Sequence, residues 1–154
     1  MITINSLNQT KTITKPWGQE KWIQPGQDDH PYVLKEIILN AGHKTSLQVH
    51  QYKSETNYIL EGHGRIVYSD EYFDCERFTN ESYTQLELDK ILNSLKTADF
   101  GPGSVMMISP GTIHRMIADT ELRFVEASTC HLDDVIRLQD DANRGHGKID
   151  SEHQ

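Results

Sequence analysis

The chain has few cysteines, no long apolar run and less positive than negative charge. Cys75 and Cys130 show no CxxC spacing, and two cysteines are too few for a disulfide framework, so we expect reduced thiols. No stretch approaches the roughly 18 apolar residues of a membrane span, and the first residues lack the basic and apolar regions of a signal peptide. These absences predict a cytoplasmic protein with no membrane-embedded segment.

The charge balance limits the expected partners. The sequence has 23 Asp and Glu against 15 Lys and Arg, which gives a formal net charge of -8. Non-specific binding to a nucleic-acid backbone requires a basic face, so nucleic acid is not an expected partner. An anionic small molecule requires a locally basic pocket or a bound cation to overcome this overall field.

The 154 residues are enough for one domain with its own core. Short β-favouring segments recur between turn residues: EKWI, YVLKEIIL, TSLQVH, TNYIL, GRIVY, SVMMIS, IHRMIA and LRFVEA. This spacing is typical of an all-β sandwich or barrel. We expect residues 1–14 to form an N-terminal arm, 15–141 the single domain and 142–154, which are polar and contain glycine, a mobile C-terminal tail.

Residues at about 81–97 break the strand pattern. Four apolar residues recur there at helical spacing: Leu88, Ile91, Leu92 and Leu95. Thr84 and Glu87 are spaced as a capping box, so the pattern predicts a short inserted helix, although YTQLEL at its start alternates as a strand does. We expect the apolar stripe to pack on the protein's own barrel; the alternatives are cover for a sheet edge or for the mouth of a pocket.

Two stretches combine glycines with side chains that can bind metal. In AGHKTSLQVHQYKSETNYILEG, three such residues, Gln48, His50 and Glu55, lie between two glycines. Residues two apart on a strand project to the same face, so Gln48 and His50 point together, and Glu55 on the next antiparallel strand can face them. In GPGSVMMISPGTIHRMIA, His114 at the start of a strand can complete the set.

The donor atoms of these four residues suit a divalent metal. Imidazole nitrogens with carboxylate and amide oxygens form a borderline-hard set for zinc first, or for manganese, nickel, cobalt or iron, with positions left for water or substrate. The ligands carry one negative charge, so a bound divalent cation remains a Lewis acid that attracts sugar hydroxyls. The alternative is that they are ordinary polar residues, because a single histidine on a strand is more often a surface or core residue.

Both stretches resemble the cupin motifs. The first resembles G-x5-H-x-H-x3-4-E-x6-G, with Gln48 at the first histidine position. The second resembles G-x5-P-x-G-x2-H-x3-N, with Ser109 at the proline position and Ala118 at the asparagine position. The resemblance implies an all-β cupin fold, a double-stranded β-helix or jelly-roll barrel, here with a short helical insertion. It also implies a homodimer, as is common in cupins, and four metal ligands: Gln48, His50, Glu55 and His114.

A narrower resemblance rests on four stretches: KPWG, TSLQVHQYKSE, GTIHRM and DDVIRLQDDANR. They are similar to the type II mannose-6-phosphate isomerase domain, the C-terminal cupin of bifunctional mannose-1-phosphate guanylyltransferases, of which we expect only the cupin half here. The similarity spans about 15–144, apart from a longer region at 69–100. It implies a sugar-phosphate partner and aldose-ketose isomerisation, which in that family converts mannose 6-phosphate to fructose 6-phosphate.

By position in this family, Lys53 and Arg115 are candidates for catalysis or substrate binding, and Trp17, Tyr52 and Asn57 are candidates to line the pocket. The sequence departs from the family where Tyr52 replaces a second histidine and Lys53 replaces an arginine, whose planar fork lysine cannot reproduce. Three functions therefore remain open: a sugar-phosphate isomerase, a non-catalytic cupin that binds a sugar or nucleotide sugar as an accessory to polysaccharide synthesis, and a metal-dependent oxygenase, which an amide ligand disfavours.

Overall fold

The computed structural model describes residues 1–153, most of which lie in or between β-strands. The strands are β1 (Lys11–Lys15), β2 (Gly18–Gln24), β3 (Val33–Leu39), β4 (Leu47–Val49), β5 (Glu55–Glu61), β6 (Gly64–Tyr68), β7 (Lys96–Phe100), β8 (Val105–Ile108), β9 (His114–Ala118), β10 (Leu122–Ser128) and β11 (Ile136–Gln139). The helices are α1 (Cys75–Thr79), α2 (Gln85–Asn93) and two 3-10 helices, Leu7–Gln9 and Asp150–His153. Within this described part of the chain, no helix has the length and apolar character needed to cross a membrane.

The strands form two antiparallel sheets that face each other across the interior of a jelly-roll barrel. The first sheet has six strands in the order β1-β2-β3-β10-β5-β8, and the second has five in the order β11-β4-β9-β6-β7. Every second residue of β3 and β10 is buried, and the residues between these are only partly buried or exposed. This alternation is expected for strands with one face towards a core. This architecture confirms the predicted all-β cupin fold.

Each of the eight segments predicted to favour β-structure contains a strand, but three strands were missed. These are β1, β7 and β11, and all three lie at sheet edges. Most of their residues are at least partly exposed, so they carry little of the apolar alternation that identifies a strand from sequence. One consequence is that the sheet already begins at β1, inside the segment expected to be an arm.

The predicted helix is present within narrower bounds as α2, and the strand alternative for YTQLEL is wrong. The Thr84 hydroxyl accepts a hydrogen bond from the Glu87 N–H at 3.1 Å, and the Glu87 carboxylate accepts one from the Thr84 N–H at 2.8 Å. Its apolar stripe packs on the outer face of the second sheet, against Leu47, Val49 and Ile113. The insertion therefore covers the protein's own barrel.

Residues 142–154 were expected to form a mobile tail, and Gln154 lies outside the described residues. Within the described remainder, the Asp150–His153 helix is placed against the first sheet, and residues 146 and 147 accept hydrogen bonds from Arg137 of β11 in the second sheet. The Lys15 ammonium lies 2.6 Å from the Glu152 carboxylate, and the His153 ring packs edge-on against Trp22 with centroids 5.2 Å apart. These partners lie more than a hundred positions away along the chain, so the local composition of the segment does not predict them.

Two motif glycines occupy backbone positions that other residues rarely adopt. Gly62, directly after β5, has φ of 91°, and Gly111, shortly before β9, has φ of 79°. A Cβ atom at Gly62 would overlap the carbonyl oxygen of Glu121, and one at Gly111 would overlap the Tyr72 ring. These turns fix where β5 ends and where β9 begins.

Candidate metal centre

The barrel interior has an apolar end and a polar end. The apolar end holds nine buried residues: Trp17, Ile37, Leu39, Ile59, Phe100, Met116, Ala118, Leu122 and Phe124. Along four strands the interior positions then become polar: Lys35 on β3, Asn57 and Glu55 on β5, His114 on β9 and Glu126 on β10. The polar end surrounds a cavity of about 120 Å³. Its side chains are therefore mounted on the same rigid strands as the core.

His50, Glu55 and His114 meet in this cavity. Their possible ligand atoms lie within 4.8 Å of one another, and all three residues are buried. The Glu55 carboxylate is 3.4 Å from His114 Nε2 and 3.9 Å from His50 Nε2. A zinc ion at about 2.0–2.1 Å from such ligands separates them by roughly 3–4 Å. The spacing of the three residues fits one divalent cation.

The route by which Glu55 reaches the histidines differs from the expected one. Glu55 was expected to face Gln48 and His50 across a pair of neighbouring strands. That pairing is wrong, because β4 and β5 belong to different sheets. Glu55 approaches from the opposite wall of the barrel, whereas Gln48 is the direct cross-strand neighbour of His114. Closure of the barrel, and not a hairpin, brings the three residues together.

Both imidazoles are oriented as metal ligands. His50 Nδ1 lies 2.6 Å from the Asp134 carbonyl oxygen, and His114 Nδ1 lies 2.9 Å from the Thr112 carbonyl oxygen. A carbonyl only accepts, so each Nδ1 donates and each Nε2 of a neutral ring presents a lone pair. Both Nε2 atoms are buried, and neither has a hydrogen-bond partner within residues 1–153. Buried polar atoms rarely lack a partner, and a metal ion satisfies both.

The charge states of the site also suit a metal. Burial lowers the pKa of His50 to about 4, so this imidazole is neutral at neutral pH, as a ligand must be. Burial alone would raise the pKa of Glu55, but Lys53, His114 and His50 together lower it well below its ordinary value. The carboxylate is therefore ionised and able to bind a cation.

Gln48 lies in the wall of the same cavity. Its side-chain oxygen accepts a hydrogen bond from the Ser46 hydroxyl at 3.2 Å. Because it pairs with His114 across the sheet and lies two residues before His50, it remains our predicted fourth ligand.

Asp134 is a positioning residue that the sequence did not reveal. Its carboxylate accepts hydrogen bonds from the backbone N–H groups of Gln51, Tyr52 and Lys53 at 2.9, 2.7 and 2.8 Å. Its carbonyl also orients His50. One residue thus fixes both the first histidine and the turn that leads to Glu55, from more than 80 positions away in the sequence.

A row of buried charges of alternating sign leads away from Glu55. The Lys53 ammonium lies 3.0 Å from the Glu55 carboxylate and 3.5 Å from that of Glu126. The Lys35 ammonium lies 4.0 Å from Glu126 and 3.4 Å from Glu20. Burial and the Glu55 charge raise the pKa of Glu126, although Lys53 and Lys35 oppose the shift. Lys35 and Glu126 stand at positions of their strands that face the barrel interior. A charged residue at such a position is the pattern in the sequence that could have identified these two residues.

The cavity receives three of the five other predicted site residues. Trp17, Lys53 and Asn57 line it. Tyr52 is 64% exposed and lies beside His131, outside the cavity lining. Arg115 faces away from His114 and donates hydrogen bonds to the carbonyls of Thr45 and Gln139 at 2.7 and 3.2 Å.

The placement of Arg115 corrects its prediction as a substrate-binding residue. Adjacent residues on a strand project to opposite faces, so an inward His114 requires an outward Arg115. Other basic side chains line the cavity in its place: Lys15, Lys35, Arg137, Arg144 and Lys148.

Comparison with known families gives one match by sequence. Residues 4–98, more than half of the 154-residue chain, match the family described as mannose-6-phosphate isomerase C-terminal. The matched region contains Gln48, His50 and Glu55 and ends before His114. No curated protein matches the sequence significantly.

Solved structures share the fold at low sequence identity. The polyketide cyclase RemF from Streptomyces resistomycificus has a TM-score of 0.61 and 17% identity, over 90% of this chain and 86% of RemF. The capsular polysaccharide assembling protein CapF from Staphylococcus aureus has a TM-score of 0.59 and 14% identity, over 84% of this chain. An oxalate decarboxylase from Lactobacillus farciminis has a TM-score of 0.58 and 19% identity, over 85% of this chain. The chain spans about a third of the last two proteins, 32% and 34%.

Proposed function

This chain belongs to the mannose-6-phosphate isomerase C-terminal family, a cupin-type family, and on that premise we propose that it is a metal-dependent isomerase that interconverts an aldose phosphate and a ketose phosphate. The observation that carries the proposal is the buried set of His50, Glu55 and His114, in which two Nε2 atoms have no hydrogen-bond partner within the described chain. The family supplies the substrate class, and mannose 6-phosphate is the first substrate to test.

The three residues, with Gln48 as the fourth, would hold a divalent ion, and zinc is the first candidate. When bound, the ion supplies a Lewis acid for the carbonyl and adjacent hydroxyl of an open-chain sugar. The fixed Nδ1 hydrogen bonds keep both imidazoles in the ligand orientation without any movement of the strands.

Glu126 is our candidate for the group that moves a proton between C2 and C1 of the sugar. Its carboxylate lines the cavity, and its raised pKa lets it take up a proton more readily than an ordinary glutamate. Glu20 is a poorer candidate. It accepts a hydrogen bond from Trp22 Nε1 at 3.0 Å, and although burial opposes the shift, Lys35 and other cations lower its pKa.

Lys53 places a positive charge between Glu55 and Glu126. Among buried side chains, an ammonium group held at these distances stabilises negative charge that develops on a substrate oxygen. Its two carboxylate contacts also keep the side chain inside the cavity.

The test begins with the metal content of the purified protein and of the Glu55→Ala and His114→Ala variants. The wild type is then incubated with mannose 6-phosphate in heavy water, and NMR measures the entry of deuterium at C1 and C2. We expect stoichiometric metal that both variants lose, and metal-dependent entry of deuterium. A wild type that binds no metal after reconstitution, or that binds metal without deuterium entry from any aldose phosphate tried, would contradict the proposal.

A matched pair of variants tests the role of Glu126. Glu126→Gln should retain the metal and lose deuterium exchange by at least about a hundredfold, the usual scale of a general base. Glu20→Gln removes a carboxylate from the same cavity and should lose much less. Equal losses in the two variants would refute the assignment.

A non-catalytic cupin that binds a sugar or nucleotide sugar is the second candidate. The observation that favours it is the position of Tyr52 and Arg115, which stand at family site positions but outside the cavity lining. This function predicts stoichiometric metal and a ligand-dependent rise in Tm, with no deuterium entry.

We also propose that the protein forms a homodimer through the outer face of β5 and β8. β8 is an edge strand, and three large apolar side chains of this face are exposed: Tyr58, Val105 and Met107. Light scattering should give twice the 17.7 kDa chain mass, and Met107→Glu should give the monomer. A wild-type monomer would refute this proposal.

A further inference from the structure

Glu152 of the C-terminal 3-10 helix lies among cations at one wall of the metal cavity. Its carboxylate is 2.6 Å from the Lys15 ammonium and 3.3 Å from Arg144 Nη1. The side chains are 10% exposed for Lys15, 9% for Arg144 and 11% for Glu152. Lys15 and Arg144 both line the cavity. The chain thus supplies its own carboxylate to two nearly buried cations of the site.

Arg137 adds a third cation with unused hydrogen-bonding capacity. It lines the cavity, and its Nη1 donates to the carbonyls of Gly145 and Gly147. Its Nε is buried and has no hydrogen-bond acceptor in the described chain. Oxygens of an anion are the usual acceptors for a guanidinium group, so this atom points to a ligand that carries negative charge.

The cavity is small in comparison with the usual binding site for a small molecule. Pockets that bind small molecules usually enclose roughly 300–1,000 Å³, whereas this cavity has about 120 Å³. Four residues of the C-terminal segment form part of its wall: Arg144, Gly147, Lys148 and His153. Movement of the Asp150–His153 helix would remove His153 from this wall and release Lys15 from Glu152.

Arg144 can stay in place when Glu152 leaves. The Asp140 carboxylate accepts hydrogen bonds from its Nε at 2.9 Å and its Nη2 at 3.0 Å, whereas Glu152 contacts Nη1. Asp140 therefore holds the guanidinium from one side and leaves the other available to a second anion.

We propose that Lys15, Arg137 and Arg144 form a phosphate-binding subsite of the cavity, and that Glu152 occupies its cations until the phosphate of a ligand replaces it. The assignment rests on the proposed function, because it places the phosphate of the same sugar phosphate. It adds that the C-terminal helix competes with the ligand, with the Glu152 carboxylate on the cations that the phosphate would use.

Inorganic phosphate, titrated calorimetrically into the full metal-loaded chain at low salt, tests the subsite. Glu152→Gln removes the competing charge and should tighten phosphate binding about tenfold, as expected for loss of a charge-assisted contact. The control Asp150→Asn removes one negative charge from an exposed position of the same helix and should change the Kd less than about twofold. The double variant Glu152→Gln, Lys15→Met should lose this tighter binding. If phosphate bound only to the metal, the Lys15→Met change would leave the affinity unaltered.

Equal phosphate affinity in the wild type and in Glu152→Gln would overturn the subsite, as would a gain that survives Lys15→Met. A second measurement needs no variant. The Glu152 N–H donates to the Ile149 carbonyl at 3.1 Å, so hydrogen exchange at this amide should speed up when phosphate is added, and an unchanged rate would also overturn the proposal.

These readouts do not depend on turnover. If the protein exchanges no deuterium but Glu152→Gln binds phosphate more tightly, the isomerase proposal is refuted and the subsite proposal stands. If the protein exchanges deuterium but Glu152→Gln binds phosphate no more tightly than the wild type, the isomerase proposal stands and the subsite proposal is refuted.

Discussion

The two ends of the barrel interior are built on the same strands but consist of different side chains. β10 carries Leu122 and Phe124 at the apolar end and Glu126 at the polar end, and β9 carries Met116 and then His114. The pairing of β10 with β3 and that of β9 with β6 continue from one end to the other without a shift of register. The apolar end is occupied by packed side chains, whereas the polar end holds buried charges and two imidazole nitrogens without hydrogen-bond partners in the described chain.

This difference indicates that the two ends have separate tasks. Burial of apolar surface stabilises a fold, whereas burial of charge costs free energy unless each charge is paired. A polar end inside a barrel is therefore expected where a ligand, and not stability, determines the residues. Four predictions follow from the separation, from the largest effect to the smallest.

At the apolar end, Ile59→Ala should lower the free energy of unfolding by about 2–5 kcal/mol, because it leaves a cavity in a fully buried part of the core. Metal stoichiometry should be unchanged. Urea denaturation and metal analysis measure the two effects. The control Leu86→Ala alters a surface residue of α2, which is 80% exposed, and should cost much less. Loss of metal in Ile59→Ala at a temperature where the protein is folded would show that the ends are not separate.

At the polar end, acid should destabilise the metal-free protein through His50. The ordinary pKa of histidine, 6.5, applies to the unfolded chain, and burial lowers the pKa of His50 to about 4 in the folded protein. The unfolded chain therefore binds the proton first as the pH falls. The contribution of His50 to the free energy of unfolding is complete above pH 6.5. As the pH falls to about 4, this contribution decreases by up to about 3 kcal/mol.

Urea denaturation in EDTA across this pH range measures the effect. His50→Asn should show a shallower slope than the wild type, while His43→Asn, which alters an exposed histidine, should keep the wild-type slope. Identical slopes in the wild type and His50→Asn would contradict the prediction.

Asp134→Ala should weaken metal binding by about 10–100-fold although it removes no ligand, because the turn at residues 51–53 loses its three carboxylate contacts. Competition with a chelator gives the affinity. Asp133→Ala changes the preceding residue, whose side chain, among residues 1–153, accepts only from the Lys148 N–H, and should retain wild-type affinity. Equal affinities in all three proteins would show that the ligands need no such support.

Arg115→Lys should have the smallest effect. The side chain contacts two backbone carbonyls and does not line the cavity, so kcat/KM for the isomerase should change less than about twofold, while the free energy of unfolding falls by about 1 kcal/mol. Steady-state kinetics and urea denaturation measure these values. A tenfold loss of kcat/KM without loss of stability would return Arg115 to the site.

The sequence predicted the parts of the site that depend on local spacing. The strand period places Gln48 and His50 on one face, and the motif spacing adds Glu55 and His114. The same period, applied to His114, would have excluded Arg115, which was instead carried over from the family by position. Asp134 and Glu152 were missed for a different reason: the turn that Asp134 fixes lies 81 to 83 positions away and Lys15 lies 137 positions from Glu152, and no local pattern records such contacts.

The shared strands make the site a reporter of correct folding. A shift of one residue in the register of β10 would turn Leu122 and Phe124 towards solvent and would move Glu126 out of the cavity in the same step. A similar slip in β9 would exchange His114 for Arg115 at the cavity wall. His114 is a predicted metal ligand, so a molecule that retains its metal has paired β9 in the correct register, and metal retention after refolding counts such molecules.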